Sequence, residues 1–344
     1  MVATMTVSET LNQTWSAVVA EASRAEGYFH RRIPLTCVWA AHAGIHRPTD
    51  ARILMLETEL NSVRDLCLKD ETKGYSIDVG LDEAGRSDRA AIRIQETSAA
   101  YREIFTIFCA DILEHWIPHA GASDSLKSLT RRLARWKKFF QRGGQLGLSR
   151  EDYVGLYGEL SFIEAGLNAG VASPPIVNAW QAPLGTNQDF LLGQVAVEIK
   201  TTTGNEIDQV RITNARQLDS TGLLQLFLAR FAFDFRQGSG RTLPQLVAVL
   251  KTSLAAISPD VLSVFNDRLL EAGFVEGTAN EFDAWGFTPR QFDVFNVREG
   301  FPRLLESSLP SGITEVSYTL NLSGAKPFQI DEPGFWTRII STYA

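Results

Sequence analysis

The spacing of apolar and polar positions divides this chain into a β-rich first third and a mixed remainder. Residues 1 to 26 hold a polar segment and a predicted helix around Leu11 to Ala22. From 28 to 95, strand-like pieces such as IPLTCVWA, ARILMLETEL and GYSIDVGL are separated by Gly, Pro and Asp turn signals. The pattern then changes period. Ile104, Phe105, Phe108, Ile112, Leu113 and Trp116 recur at helical spacing within 97–117, and Pro118 with the following GASDS segment stops that helix. The basic segment SLKSLTRRLARWKKFFQRGG predicts a second helix, with Gly143 and Gly144 as its C-cap.

A third helix is predicted over SREDYVGLYGELSFIEAGLNAG, with Ser149 as N-cap and Leu156, Leu160, Ile163 and Leu167 as its apolar stripe. Glu159 sits at the edge of that stripe. Gly155 and Gly158 beside it remove side-chain bulk, so another segment can approach closely. Further along, VRITN reads as a strand, NARQLDS as a helical turn and GLLQLFLARFAFDF as a strongly apolar strand. TLPQLVAVLKTSL and SPDVLSVFNDRLLEAGF read as helices, and RQFDVFNVREG and GITEVSYTLNLSG as late strands.

Between the third helix and VRITN lies QDFLLGQVAVEIKTTTG, residues 188–204. Gly193-Gln194 is a Gly-X pair of the kind that forms a two-residue hairpin turn. Pairing outward from it sets Asp189 opposite Glu198. One face then carries Phe190, Leu192, Val195, Val197 and Ile199, and the other Asp189, Leu191, Ala196, Glu198 and Lys200. Like charges directly opposed across an antiparallel pair, with Cβ atoms roughly 4.5–5.5 Å apart, destabilise a sheet unless a cation sits between them. Two carboxylates at that separation can share a divalent cation such as Mg²⁺. Lys200 lies two residues beyond Glu198 on the same face, near enough to hold a phosphate oxygen or a metal-bound water. An ordinary salt-bridged hairpin has the same spacing, but here the polar residues are segregated from a wholly apolar face, and Glu159 offers a third carboxylate.

Composition narrows the class. Apolar residues make up 44% and charged residues 21% of the 344, which suits a globular protein able to bury a core without metal or disulfide staples. Cys37, Cys67 and Cys109 are widely spaced and odd in number, a usage that suits a reducing cytoplasm. No signal peptide and no membrane span are expected. The net charge of −7 argues against coating nucleic acid by bulk electrostatics but permits a local basic groove. Arg131, Arg132, Arg135, Lys137, Lys138 and Arg142 form a solvated face of the second helix, or face phosphates if a nucleic-acid site lies nearby. His42 and His46 are four apart, but Gly44 and Pro48 place them in a loop rather than in a metal-binding helix. No GxxxxGK loop is present, so ATP hydrolysis by this chain is not expected.

Glu159 on a helix, Asp189 at a strand start and Glu198-Ile199-Lys200 resemble the PD-(D/E)XK nuclease core. The surrounding text, GLYGELSFI, an aspartate-led strand, then VEIKTTT and VRITNARQL, is similar to the bacterial PD-(D/E)XK motif proteins found among restriction-modification and phage-defence genes. TRRLARWKKFF and GLLQLFLARF extend the likeness, which is clear over residues 100 to 235. It implies a restriction-endonuclease-like α/β fold, a mixed central sheet flanked by helices, over 121–344, with 1–120 a β-rich region for recognition, partner or dimer contacts. It also implies that Asp189, Glu198 and the main-chain carbonyl of Ile199 bind Mg²⁺, with Mn²⁺ substituting. Lys200 would position the attacking water, and Glu159 would act through a second metal or its water. Gln188 stands where the nominal motif has Pro. Thr201, Thr202, Thr203 and Arg211, with Arg131, Arg135 and Lys138, are candidate phosphate contacts. As strand residues the threonines need no such role.

The leading expectation is a Mg²⁺-dependent DNA endonuclease serving a restriction or defence system, beside methyltransferase and ATPase subunits. A homodimer would suit double-strand cleavage. The competing expectation is a catalytically silent nuclease fold that binds DNA or scaffolds a complex; RNA is a third substrate class. No helix-turn-helix or zinc-finger reader is legible.

Overall fold

The computed structural model describes residues 5–22, 26–35, 40–64, 68–81, 88–117, 122–141, 147–313 and 315–342. The chain forms two compact units, Met1–Leu146 and Gly147–Ala344.

The first unit opens with α1 (Val7–Glu21), capped by Thr6 and Glu9 in a reciprocal capping box. Strands β1 (Gly27–Arg32), β2 (Ala41–Arg47) and β3 (Ala51–Glu59) follow, then the single turn α2 (Leu60–Val63) and strands β4 (Asp70–Glu71), β5 (Tyr75–Leu81) and β6 (Arg89–Glu96). They make one antiparallel sheet in the order β1-β2-β3-β6-β5-β4. Helix α3 (Arg102–Trp116) buries the six apolar residues its periodicity picks out. It packs on α4 (Ala122–Gln141), where Arg132 and Trp136 both bond the Asp111 carboxylate of α3. The division therefore falls after 146 rather than after 120, because α4 is tied to α3. Of IPLTCVWA, Ile33 to Leu35 are not in a strand and 36–39 lie outside the described residues. Cys37, Cys67, Arg142 and the Gly143-Gly144 cap also lie outside them. His42 and His46 stand on β2 rather than in a loop, and the chain turns only after Arg47, over residues 48–50.

The second unit begins with α5 (Arg150–Asn168), whose Ser149 cap accepts from Asp152 N–H. Then come α6 (Ser173–Ala179), β7 (Phe190–Leu192), β8 (Val195–Thr202), β9 (Gln209–Ile212), β10 (Gln225–Gln237) and β11 (Arg241–Thr242). After them run α7 (Leu243–Ile257), α8 (Pro259–Glu271), β12 (Trp285–Asn296), β13 (Tyr318–Asn321), β14 (Gln329–Ile330) and α9 (Glu332–Ser341). The main sheet runs β11-β12-β10-β8-β7, with β14 on β12, and β9 pairs β13 separately. β8 and β10 are parallel and the other pairs antiparallel, so the sheet is mixed.

Both faces of the β8–β10 centre are covered, which explains why these strands read as nearly continuous apolar runs. On one face Phe190, Leu192, Val195, Val197, Ile199, Phe227, Ala229 and Phe231 pack against α5, α6, α7 and α9. On the other, Ala196, Leu226 and Leu228 meet Val210, Ile212, Leu218, Leu320 and Leu322. The face of β8 that carries Glu198 is therefore a second core rather than a wet surface. No helix among the described residues is long and apolar enough to cross a membrane.

Candidate active site

The hairpin forms with the expected register: Leu192 faces Val195, Leu191 faces Ala196 and Phe190 faces Val197. Gly193 turns it at φ +63°, a value glycine adopts without penalty. The ladder stops there, one step short of the pair that the pattern predicts. The Asp189 carbonyl accepts from the backbone of Gln181 (2.7 Å) and Ala182 (3.1 Å), so its main chain leaves the hairpin. Its side chain reaches across instead: Asp189 Oδ2 accepts from Ile199 N–H at 2.6 Å. Asp189 and Glu198 thus approach through side chains rather than as a ladder pair.

Glu198 is 1% exposed. Its Oε1 is 2.7 Å from Lys200 Nζ, and its buried Oε2 makes no hydrogen bond among the described residues. Burial, then the charges of Asp189 and Glu159, push its carboxyl well above the usual range, against the pull of Lys200. Glu159 reaches the group from α5, where the buried Trp180 indole donates to its Oε2 at 2.6 Å. Burial and the Asp189 charge raise Glu159 to about 8. Asp189 is lifted to about 6 by burial, opposed by Lys200 and the Ile199 N–H. Three carboxyls that each disfavour ionisation beside one ammonium form a site short of positive charge.

These groups open into a cleft of about 630 Å³ also lined by Arg150, Gly155, Thr201, Thr202, Thr203, Arg211 and Gln217. The α5 wall is close: a Cβ on Gly158 would overlap Thr201 Oγ1, whereas one on Gly155 would meet nothing within 4 Å. Thr201 Oγ1 is buried without a hydrogen-bond partner among the described residues, and Arg150 donates to Thr203 Oγ1 at 3.5 Å. Thr201, Thr202 and Arg211 therefore stand around the acids, as their place in the sequence suggests. Arg131, Arg135 and Lys138 belong to α4 in the first unit, with Arg131 and Lys138 exposed.

Two residues of the site escape a pattern-based reading. Trp180 and Gln217 touch Glu159 and Lys200 from 21 and 17 positions away. No local periodicity marks either of them. Arg230 is a third buried polar group, on β10 in register with Lys200. It is 1% exposed, bonds Asp293, and donates to Ile207 O at 2.9 Å. Its charge in the middle of GLLQLFLARFAFDF is the same kind of interruption that marks the hairpin.

Among the described residues, no three His, Cys, Asp or Glu side chains are gathered closely enough to hold a metal ion. Trp180, Ile199 N–H and Lys200 each take one oxygen of an acid. The donor set nonetheless suits a hard cation: all oxygens, mutually repelling, with Glu198 Oε2 buried and unpartnered.

No curated protein and no solved structure matches the chain. A family model described as "Putative PD-(D/E)XK family member, (DUF4420)" matches residues 11–323, which takes in α5, the hairpin, β10 and most of the first unit. With Glu159, Asp189, Glu198 and Lys200 brought together in one cleft, the chain belongs to this PD-(D/E)XK family.

Proposed function

We propose that the protein is a divalent-cation-dependent endonuclease that hydrolyses phosphodiester bonds of DNA. The observation that supports this most directly is the group of three desolvated carboxyls around one ammonium at an open cleft. Asp189, Glu198 and Glu159, with the Ile199 carbonyl, would hold the cation, Mg²⁺ with Mn²⁺ as a substitute. When bound, it neutralises the acids and stabilises charge developing on the phosphoryl group. Lys200 presents an ammonium to a phosphate oxygen or to the attacking water. Trp180 and the Ile199 N–H hold Glu159 and Asp189 in orientation, and Arg150, Arg211, Thr201 and Thr203 supply donors for neighbouring phosphates. A role as the cutting component of a restriction or phage-defence system, in the cytoplasm and with methyltransferase and ATPase partners, extends this proposal. A homodimer would let two such sites cut both strands.

A silent DNA-binding or assembly subunit is the second reading. It is favoured by the ion pair that engages Lys200 with Glu198. The test is plasmid DNA incubated with Mg²⁺ or Mn²⁺ and the wild type, Asp189→Ala or Lys200→Ala. Nicking by the wild type alone supports the enzyme. Equal nicking by all three removes the catalytic assignment. Binding of duplex without cleavage under any cation favours the silent subunit.

A further inference from the structure

The side chain next to Lys200 has a chemistry that its contacts fix. Gln217 sits in a short turn, Ala215–Leu218, capped by Asn214. Its Oε1 accepts from Lys200 Nζ at 3.2 Å, from Thr213 N–H at 2.9 Å and from Thr213 Oγ1 at 3.2 Å. An ammonium and a backbone N–H can only donate, so both require the carbonyl oxygen of the amide and exclude the flipped orientation. The Nε2 group is left pointing away from these donors, on a half-buried residue that lines the cleft. Among the described residues it makes no hydrogen bond that would hold it elsewhere. An NH₂ group in that position is a donor waiting for an acceptor, and the cleft proposed above takes a polyanion.

We infer that Gln217 is a positioning residue for Lys200 whose amide NH₂ also donates to a phosphate oxygen of the substrate, a role that rests on the phosphodiesterase reading. The two ends of one amide would then set the distance between the ammonium and the phosphate. Without Gln217, Lys200 keeps only Glu198 as a hydrogen-bonding partner among the described residues, and the ammonium is drawn toward the acids and away from the substrate.

The two halves are tested separately. A double-mutant cycle of Gln217→Leu and Lys200→Met, followed by urea unfolding without cation or DNA, reads the positioning contact. The expected result is non-additivity of at least about threefold in the unfolding equilibrium constant, the size of an ordinary hydrogen-bond coupling. Additive effects would show that Gln217 merely braces the Thr213 turn and would overturn the positioning role. The phosphate contact is read by anisotropy of a labelled DNA duplex in Ca²⁺, comparing wild type with Gln217→Glu. That variant keeps an acceptor for Lys200 but replaces the donor with a carboxylate. Affinity at least tenfold weaker is expected, and unchanged affinity would overturn the contact. A wild type that binds no duplex would defeat the nuclease reading and the phosphate contact together, while the unfolding cycle still decides the Lys200 contact.

Discussion

Glu159→Gln separates the electrostatics of the cleft from its packing. The glutamine keeps an oxygen for the Trp180 indole and almost the same volume, and removes one of three mutually repelling charges. In the metal-free wild type the folded carboxyl is raised from 4.5 to about 8, so the folded state holds this proton more tightly than the unfolded chain. Its stabilising contribution is complete below pH 4.5 and is lost as the pH rises through about 8. A shift of that size corresponds at most to about 5 kcal/mol. Glu159 is only half-buried, and water at the cleft mouth screens part of the repulsion, so about 2 kcal/mol is the working figure. For a unit of this size that amounts to about 4–8 °C in melting temperature. The assay is thermal unfolding in EDTA from pH 5 to pH 9 for both proteins. The two should melt alike near pH 5, and the variant should become progressively more stable, reaching that gap near pH 9. Parallel curves would refute the claim that the acids share a desolvated pocket.

Further substitutions probe the scaffold. Gly158→Ala forces a methyl onto Thr201 Oγ1 and should cost about 1–3 kcal/mol in urea unfolding, whereas Gly155→Ala on the same helix meets open space and should gain up to about 1 kcal/mol. Trp180→Phe removes the indole donor from Glu159 and should destabilise by about 1–3 kcal/mol, with the larger loss above pH 8, where that carboxyl is ionised. Arg230→Met strands the buried Asp293 and should cost about 3–5 kcal/mol by urea unfolding, while Arg230→Met with Asp293→Leu should recover most of it.

Much of this site is legible in the sequence alone, for a local reason. Gly193-Gln194 sets the hairpin register, and strand alternation then sorts Phe190, Val197 and Ile199 from Glu198 and Lys200. The same rule overreached at Asp189, whose main chain turns aside to Gln181 and Ala182 at the predicted pair itself, after the ladder ends at Phe190. Trp180, Gln217 and the packing of β9 and β13 on Ala196 of β8 depend on contacts between distant segments, which periodicity does not encode. Helices α6 and α9 escaped for a related reason. α6 is only seven residues long and carries two prolines, and α9 lies beyond the last clear pattern break. In the first unit the β-rich character was plain, but β1 and β2 carry Arg, His and Gly among few apolar residues, so their spans were not.

The proposed function requires that the cleft's acids hold a hard divalent cation and repel one another without it. Calorimetric titration of Mg²⁺ and Mn²⁺ into wild type and Glu198→Gln tests it directly, because that variant keeps the side chain's size and removes the charge of the unpartnered Oε2. Saturable binding to the wild type is expected, with release of protons from the acids near neutral pH, and affinity at least about tenfold weaker in the variant. No binding by the wild type, or equal affinity in both, would contradict it.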